Sequence, residues 1–235
     1  MSAPDPTNPM HNRTGTGTGE ADDLDPVRKS VFWRACRTVA YIGSILMFDY
    51  KAYGVENVPK VGGALMISNH QSYLDPVMLG LNLPRPLSYL AKSELFQHPL
   101  LSWLIRELRA FPVRQGKGDR SAIDETIRRL REGNLLAIFP EGTRTPDGEI
   151  GPIQRGAALV VRRAGVPIVP VAIHGSHAAW PTGQKVFRAN PIRVLYGKPL
   201  DVAGLKSEQV VELMDRTLRE MFADLRAGRV TKYLE

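Results

Sequence analysis

The chain has 235 residues, of which 43% are hydrophobic, so it can bury one sizeable core and we expect one folded domain rather than two. Basic residues outnumber acidic ones, 31 Lys and Arg against 24 Asp and Glu. The formal net charge of +7 favours anionic partners such as phosphorylated substrates, anionic lipid headgroups or nucleic acid. The only cysteine, Cys36, excludes an intramolecular disulfide and fits a reducing compartment.

The first fifty residues divide into a polar tail and a helical segment. Residues 1–24 are rich in Pro, Thr, Gly, Asn and Asp, which predicts a disordered tail, and the first 30 residues lack the apolar core of a secretory signal. Residues 25–50 predict a helix, but its uncharged stretch, Thr38 to Phe48, is far shorter than the about 20 apolar residues of a bilayer span. We therefore expect an amphipathic helix at the membrane interface, with a helix packed on the core as the alternative.

Beyond residue 50, strand-like and helical segments alternate up to Tyr196, and a final amphipathic helix is predicted over residues 207–225. This alternation is typical of an α/β domain, which we place at residues 51–235, with a mixed, largely parallel sheet flanked by helices. Pro167 and Pro170 remove backbone donors from the predicted strand 166–173, so we expect it to begin irregularly or to lie near a sheet edge. Residues 192–196 alternate like a half-buried strand.

The first motif, Asn-His-Gln-Ser-Tyr-Leu-Asp at 69–75, follows the apolar run 64–68, which predicts a short buried strand. Asp75 and Pro76 suit a helix start, with Asp75 as the N-cap. His70 and Asp75 then share one strand-to-helix loop, where a carboxylate can hold one ring nitrogen and leave the other free to accept a proton from a hydroxyl. The alternative is that Asp75 merely caps the helix and His70 is a polar loop residue.

The second motif, Phe-Pro-Glu-Gly-Thr-Arg at 139–144, follows another apolar run at 135–138. Gly142 allows backbone N–H groups to approach an anion, Thr143 can donate a hydrogen bond, and Arg144 supplies positive charge. Because both motifs follow predicted strands, we expect their loops to meet at the carboxyl-terminal edge of the sheet, where ligands of α/β proteins bind.

Together, NHQSYLD and FPEGTRT in this order resemble the glycerolipid acyltransferase family, whose best-known members are the lysophosphatidate acyltransferases. The resemblance covers roughly residues 50 to 200. It implies that His70 is the general base and Asp75 its orienting partner. It also implies that Glu141 positions acceptor hydroxyls or holds the basic residues in place, although an ion pair between Glu141 and Arg144 is an equally good interpretation.

Further candidates depend on the resemblance to different degrees. Arg114 ends a Phe-x-x-Arg block that lacks the family's preceding glycine, and it is a candidate for binding the acceptor's phosphate or else a solvated member of a local basic cluster. Asn69 and Ser72 could orient the loop or the acceptor, or stabilise the turn. His174 and His177 have no third ligand at plausible spacing, and the family uses no metal in its chemistry, so we expect no metal site and no cofactor.

The resemblance implies transfer of a fatty acyl group from acyl-coenzyme A or acyl-carrier protein to a lysophospholipid hydroxyl, with lysophosphatidate as the preferred acceptor. No GxSxG elbow is present, so direct attack by the acceptor is simpler than a covalent acyl-enzyme. We expect a peripheral protein on the cytoplasmic side of the cell membrane that binds no nucleic acid. The alternatives are glycerol 3-phosphate or another lysolipid as acceptor, or a lipid-binding protein without chemistry.

Overall fold

A mixed sheet organises the fold, and its strands have the following bounds in the computed structural model, which describes residues 31–92, 97, 110–113 and 120–234. In chain order they are β1 (Lys51–Tyr53), β2 (Ala64–Ser68), β3 (Leu87–Lys92), β4 (Ala110–Val113), β5 (Leu135–Ile138), β6 (Ile168–His174) and β7 (Arg193–Tyr196). Within the described ranges the sheet has seven strands in the order β1-β7-β6-β2-β5-β3-β4. Only the β6–β7 pairing among them is antiparallel, so β1 and β7 oppose the other five strands. The predicted mixed, largely parallel α/β sheet is confirmed.

Helices cover both faces of this sheet. They are α1 (Val31–Phe48), α2 (Asp75–Gly80), α3 (Arg120–Arg131), α4 (Gly156–Ala164), α5 (Ser176–Ala179) and α6 (Ser207–Arg226). Along β2, Leu65 and Ile67 join the core beneath α3, α4 and α6, whereas Ala64 and Met66 join the core with α2, α5 and the end of α1. Burial on both faces explains why the central strands read as continuous apolar runs.

The expectation that the strand of Pro170 lies near a sheet edge is wrong. β6 lies between β7 and β2, near the middle of the sheet. Pro170 pairs in register with Ile67 of β2, and its carbonyl oxygen accepts from the Gly197 N–H at 2.8 Å, on the side of β7. The nitrogen and the carbonyl of one strand residue point to the same side, so the Pro170 nitrogen also faces β7. The paired register with β7 begins only at Val171. The missing N–H of Pro170 therefore takes no donor from the hydrogen bonds between β6 and β2. The prediction of a half-buried strand at residues 192–196 is also wrong, because three of the four residues of β7 are buried.

The N-terminal helix α1 packs on the domain by a narrow stripe. Ser44 and Phe48, four residues apart, are buried, whereas Val39, Ile42 and Leu46 are 70%, 50% and 81% exposed. The helix therefore packs on the core, as the second alternative predicted, and its other side chains leave the membrane-interface alternative as a prediction. None of the helices among the described residues is long and apolar enough to cross a membrane. The predicted disordered tail, residues 1–24, lies outside the described residues.

A cluster of polar contacts fixes the end of α6. The buried carboxylate of Asp224 accepts from Lys232 Nζ at 2.7 Å, from Tyr233 Oη at 2.9 Å and from Arg229 Nη2 at 2.9 Å. These donors, led by Lys232, lower the pKa of Asp224 from its ordinary 3.8 to about 2. The segment that follows α6 is thereby held against the helix. The side-chain amide of Asn57 also donates to the Tyr233 carbonyl at 2.9 Å.

We expect Asp224→Asn to lower the free energy of unfolding by about 1 kcal/mol at neutral pH, since the cations are largely exposed and solvent screens them. The folded-state pKa is depressed, so the contribution is present above the unfolded pKa of 3.8 and is lost as the pH falls towards about 2. Urea unfolding of wild type and variant at several pH values measures the difference. Asp215→Asn, which removes a more exposed pair with Arg219, is the control. If the difference in the free energy of unfolding between wild type and Asp224→Asn were the same at pH 2 as at pH 7, the ion-pair role of Asp224 would be contradicted.

Candidate active site

Three loops meet at one edge of the sheet. β6, β2 and β5 are neighbours and run parallel, so the loops that follow them emerge side by side. These loops carry residues 69–74, 139–145 and 175–180, and the first two contain the predicted motifs. The Thr145 N–H donates to the His70 carbonyl at 2.9 Å, which joins the two motif loops directly. The predicted convergence of the motifs is confirmed.

His70 and Asp75 form the centre of this edge. His70 Nδ1 lies 2.9 Å from Asp75 Oδ2, and the side chain of Asp75 is fully buried whereas that of His70 is 18% exposed. The same Oδ2 atom accepts from the backbone N–H groups of Gln71, at 2.6 Å, and Ser72, at 2.7 Å. One carboxylate oxygen thus sets the shape of the loop and the orientation of the imidazole together.

The expected N-cap role of Asp75 is wrong. α2 begins at Asp75 itself, with Leu74 in the N-cap position and Pro76 in the first turn. The carboxylate turns back onto residues 70–72 instead of meeting the N–H groups of the first helical turn. Asp side chains that bond to nearby backbone N–H groups in this Asx-type way normally compete with helix formation, and here this bonding folds the loop of the first motif.

Three buried tyrosines hold α2 along its length. Their hydroxyls, projecting from or beside the strands, donate to carbonyl oxygens of the helix. Burial raises the pKa of all three phenols, so they remain donors throughout the physiological range. The pairs are Tyr50 with Met78 (2.9 Å), Tyr89 with Pro76 (2.6 Å) and Tyr196 with Leu79 (2.8 Å). Asp75 is therefore mounted on a helix that is tied to the sheet.

The second motif supplies one wall for the imidazole. The ring of Phe139 stacks on His70 with 4.0 Å between ring centroids and an interplanar angle of 17°. Stacking on one face and the hydrogen bond at Nδ1 leave the imidazole little rotational freedom. Phe139 was not a predicted site residue, because nothing in its spacing from His70 along the chain shows that β2 and β5 are neighbours.

Glu141 ties the loops together through the backbone. Its side chain is buried; Oε1 accepts from the His70 N–H at 2.7 Å and Oε2 from the Gly151 N–H at 2.6 Å. The ion pair between Glu141 and Arg144 that the sequence left open does not form. Burial raises the pKa of Glu141, and the two N–H donors oppose that shift. Glu141 is thus placed to hold the backbone of His70.

Arg144, in the same motif, is half-buried and packs on the first motif. Its guanidinium carbon stands 3.4 Å above the centroid of the Tyr73 ring, and Nη1 is buried without a hydrogen-bond partner among the described residues. Thr143 and Gly142 are exposed on the same turn, where Gly142 has a left-handed φ of 75° and its N–H donates to the Phe139 carbonyl at 3.0 Å. The turn therefore carries a half-buried cation that packs on Tyr73 of the first motif.

Asn69 and Ser72 bond to backbone rather than to open space. The amide of Asn69 both donates to and accepts from the Ile173 backbone at 2.8 Å, which joins the ends of β2 and β6. Ser72 Oγ donates to the Trp180 carbonyl at 3.0 Å. This bonding favours the loop-orienting interpretation of both residues. It also brings Trp180, which sequence reasoning missed, against the ring of Tyr73 at 5.4 Å.

The remaining predictions concern Arg114 and the histidines. Arg114 lies outside the described residues. The ring of His174 meets Phe222 edge to face, and His177 packs against Gly148. Among the described residues no group of three or more His, Cys, Asp or Glu side chains is arranged to hold a metal ion.

Comparison with known proteins assigns the chain to a family. A family model described as Acyltransferase matches residues 49–174, a range that contains both motif loops. The chain belongs to the acyltransferase family. Its fold class and its two motifs agree with the resemblance read from the sequence.

Individual relatives extend the match over most of the chain. The 1-acyl-sn-glycerol-3-phosphate acyltransferase of Bacillus subtilis is 32% identical over 197 residues, 82% of this chain and 96% of the relative. The chloroplastic 1-acyl-sn-glycerol-3-phosphate acyltransferase LPAT1 of Arabidopsis thaliana is 30% identical over 182 residues, which are 75% of this chain. The match covers 51% of LPAT1, so this chain spans about half of that protein. A crystal structure of the 1-acyl-sn-glycerophosphate acyltransferase of Thermotoga maritima is 27% identical, with a TM-score of 0.73 over 83% of this chain and 79% of that one. Similarity to named acyltransferases at this level indicates an O-acyltransferase of lipid metabolism.

The role of Glu141 in this acyltransferase can be tested by Glu141→Gln. A glutamine offers one acceptor oxygen where two buried N–H groups need one each, and leaving one of them unpaired costs about 1–3 kcal/mol. We expect kcat to fall about tenfold or more because the backbone of His70 shifts, while the KM for the acceptor changes little. Steady-state kinetics and thermal unfolding check this result.

Glu149→Gln is the matched control, since Glu149 is an exposed glutamate in the nearby loop and is expected to leave kcat unchanged. A rise in acceptor KM at constant kcat for Glu141→Gln would instead indicate that Glu141 contacts the acceptor hydroxyls.

Proposed function

We propose that the protein transfers a fatty acyl group from an acyl thioester, acyl-coenzyme A or acyl-carrier protein, to the free hydroxyl of lysophosphatidate and so forms phosphatidate. The observation that carries this proposal is the His70 imidazole, held at Nδ1 by the buried Asp75 and lying in the same loop cluster as Arg144. A base and a cation in one loop cluster suit an acceptor that carries both a hydroxyl and a phosphate. The names of the relatives support the same acceptor.

The base would act through Nε2. Asp75 takes the hydrogen bond from Nδ1–H, which fixes the tautomer and leaves Nε2 as the proton acceptor. As Nε2 removes the hydroxyl proton, the hydroxyl oxygen attacks the thioester carbonyl carbon. The C–O bond forms and the C–S bond breaks, and the leaving thiolate receives the proton from His70. General-base help of this kind typically contributes about a hundred- to ten-thousand-fold in rate.

The acceptor phosphate would bind at the exposed turn of the second motif. Arg144 is stacked on Tyr73, so its planar guanidinium is already oriented before a ligand arrives. Thr143, the residue before Arg144, is exposed, and its hydroxyl can donate to a phosphate oxygen beside that charge. Preorganisation of this kind reduces the entropy lost on binding.

The exposed apolar side chains of α1 support peripheral association with a membrane. Val39 and Leu46 are 70% and 81% exposed, and basic residues stand in the first half of the helix sequence, Arg34 and Arg37 among them. Such a helix can lie in the headgroup region with its apolar side towards the acyl chains. A cytoplasmic position of the membrane-bound protein belongs to the same proposal.

The first test is release of free thiol from palmitoyl-coenzyme A and from palmitoyl-acyl-carrier protein by purified protein. Lysophosphatidate, glycerol 3-phosphate and neutral lysolipids are offered in parallel. We expect lysophosphatidate-dependent release that falls about a thousandfold in His70→Ala because the base is lost.

His177→Ala, which removes a histidine outside the pair, is the control and is expected to keep the wild-type rate. Acceptor-dependent release that persists in His70→Ala would disprove the mechanism. Release with glycerol 3-phosphate alone would change the acceptor, and no release with any pair would leave a lipid-binding protein.

The phosphate assignment predicts a separate effect for Arg144→Gln. Loss of a charged hydrogen bond of about 1.5–3 kcal/mol should raise the KM for lysophosphatidate about tenfold or more. Turnover of a monoacylglycerol, which has no phosphate, should not change. Arg216→Gln removes one positive charge from the exposed side of α6 and controls for net charge. Equal losses for phosphorylated and neutral acceptors would show that Arg144 supports the loop and does not bind phosphate.

A further inference from the structure

A small loop near the active site ends in an apolar tip. Val186 and Phe187, adjacent in the chain, are 72% and 45% exposed. Lys185 and Arg188, on either side of them, are exposed too, and the sequence from residue 179 to residue 191 contains no Asp or Glu. The tip is therefore apolar at its centre and positive at its flanks.

The loop is closed by its own hydrogen bonds. The Arg188 N–H donates to the Ala179 carbonyl at 2.7 Å and brings the two ends together. Inside the loop, the Trp180 indole N–H donates to the Gln184 carbonyl at 2.8 Å, and the Gln184 N–H donates to the Pro181 carbonyl at 3.2 Å. These hydrogen bonds fix the backbone of the loop, and in that fixed conformation the side chains of Val186 and Phe187 are exposed.

The tip is continuous with the exposed face of α1. The rings of Phe187 and Phe48 are 5.9 Å apart, and Phe48 is the last residue of α1. The exposed side chains of Ile45 and Met47, 41% and 44% exposed, lie on the last turn of the same helix. Helix and loop thus contribute to one apolar surface.

The loop is also joined to the catalytic residues. Trp180 lies between the tip and the first motif, with its ring 5.8 Å from Phe187 and 5.4 Å from Tyr73. The carbonyl of Trp180 accepts from Ser72 Oγ at 3.0 Å. A row of aromatic rings therefore leads from the exposed tip to Tyr73, on which Arg144 is stacked.

We propose that residues 180–188 form a second membrane contact, in which Val186 and Phe187 enter the lipid interface and Lys185 and Arg188 meet anionic headgroups. The proposal deepens the proposed function and rests on it, because a lysolipid acceptor would approach His70 from the bilayer along this loop. With α1 it gives two points of attachment, which orient the edge of the sheet that carries His70 towards the lipid surface.

A lipid surface fits this loop better than another protein does. Two apolar side chains between two cations match an anionic interface, where short aliphatic and aromatic groups insert and basic groups stay at headgroup level. A second copy of this chain, packed symmetrically on the same loop, would bring Lys185 and Arg188 close to their own counterparts, and such like-charge contact is unfavourable.

The test compares Val186→Glu with Val61→Glu in the full chain. Val61 is 76% exposed and precedes β2, at the opposite end of that strand from His70, so the two variants differ only in where the same charge is added. Co-flotation is measured with vesicles of phosphatidylcholine containing phosphatidylglycerol. We expect Val186→Glu to weaken binding about fivefold or more and Val61→Glu to bind like wild type. Equal binding by all three proteins would overturn the proposal.

Activity assays separate this proposal from the proposed function. With lysophosphatidate embedded in vesicles, Val186→Glu should lose activity in proportion to its binding. With a short-chain lysophosphatidate below its micellar concentration it should match wild type. An inactive wild type would refute the proposed function while the flotation result still decides the loop. Loss of activity on the soluble acceptor as well would show that the substitution damages the site and would count against a membrane role.

A fluorescence measurement provides an independent readout. An environment-sensitive probe is attached at Val186→Cys or at Val61→Cys in a Cys36→Ala background, since Cys36 is the only native cysteine. On vesicles we expect a blue shift and higher intensity at position 186 alone. The absence of a spectral shift at position 186 would contradict the membrane contact. Self-association in sedimentation that Val186→Glu abolishes, without a change in vesicle binding, would instead assign the tip to contact between copies of this chain.

Discussion

The active site depends on one buried carboxylate oxygen. Asp75 Oδ2 accepts from His70 Nδ1 and from the backbone N–H groups of Gln71 and Ser72, so it orients the imidazole and folds the loop in a single arrangement. A buried carboxylate is tolerable only where such donors compensate for its lost hydration. The loop and the base are consequently not independent, because whatever displaces Asp75 also removes the support of the backbone that carries His70.

The second motif acts on the same loop from the opposite side. Glu141 holds the His70 N–H, Thr145 donates to the His70 carbonyl, and Phe139 covers the face of the imidazole. The two motifs are thus two halves of a single support for one side chain. Arg144, from the same motif, packs on the ring of Tyr73 instead, and under the proposed function it is the residue that meets the acceptor.

The sequence predicted what depends on local pattern. Apolar runs predict β2 and β5, and the strand-to-helix position of the first motif predicts that His70 pairs with Asp75. It could not show that Glu141 binds the backbone of His70, 71 residues earlier in the chain, or that Trp180 reaches the first motif, since both contacts depend on β6, β2 and β5 being neighbours. The prolines of β6 predict an irregular start or a position near an edge, and the sequence could not choose between these, because the side to which the Pro170 nitrogen points depends on the register with β7.

The tyrosines that hold α2 have a consequence for the motions of the enzyme. A helix of six residues is unstable by itself. Here Tyr50, Tyr89 and Tyr196 attach it to the sheet, and the buried strands of a sheet open only when the whole domain unfolds. The amide hydrogens of α2 should therefore exchange with solvent as slowly as those of β2. Heat would then inactivate the enzyme through loss of the entire domain rather than through early melting of the catalytic loop.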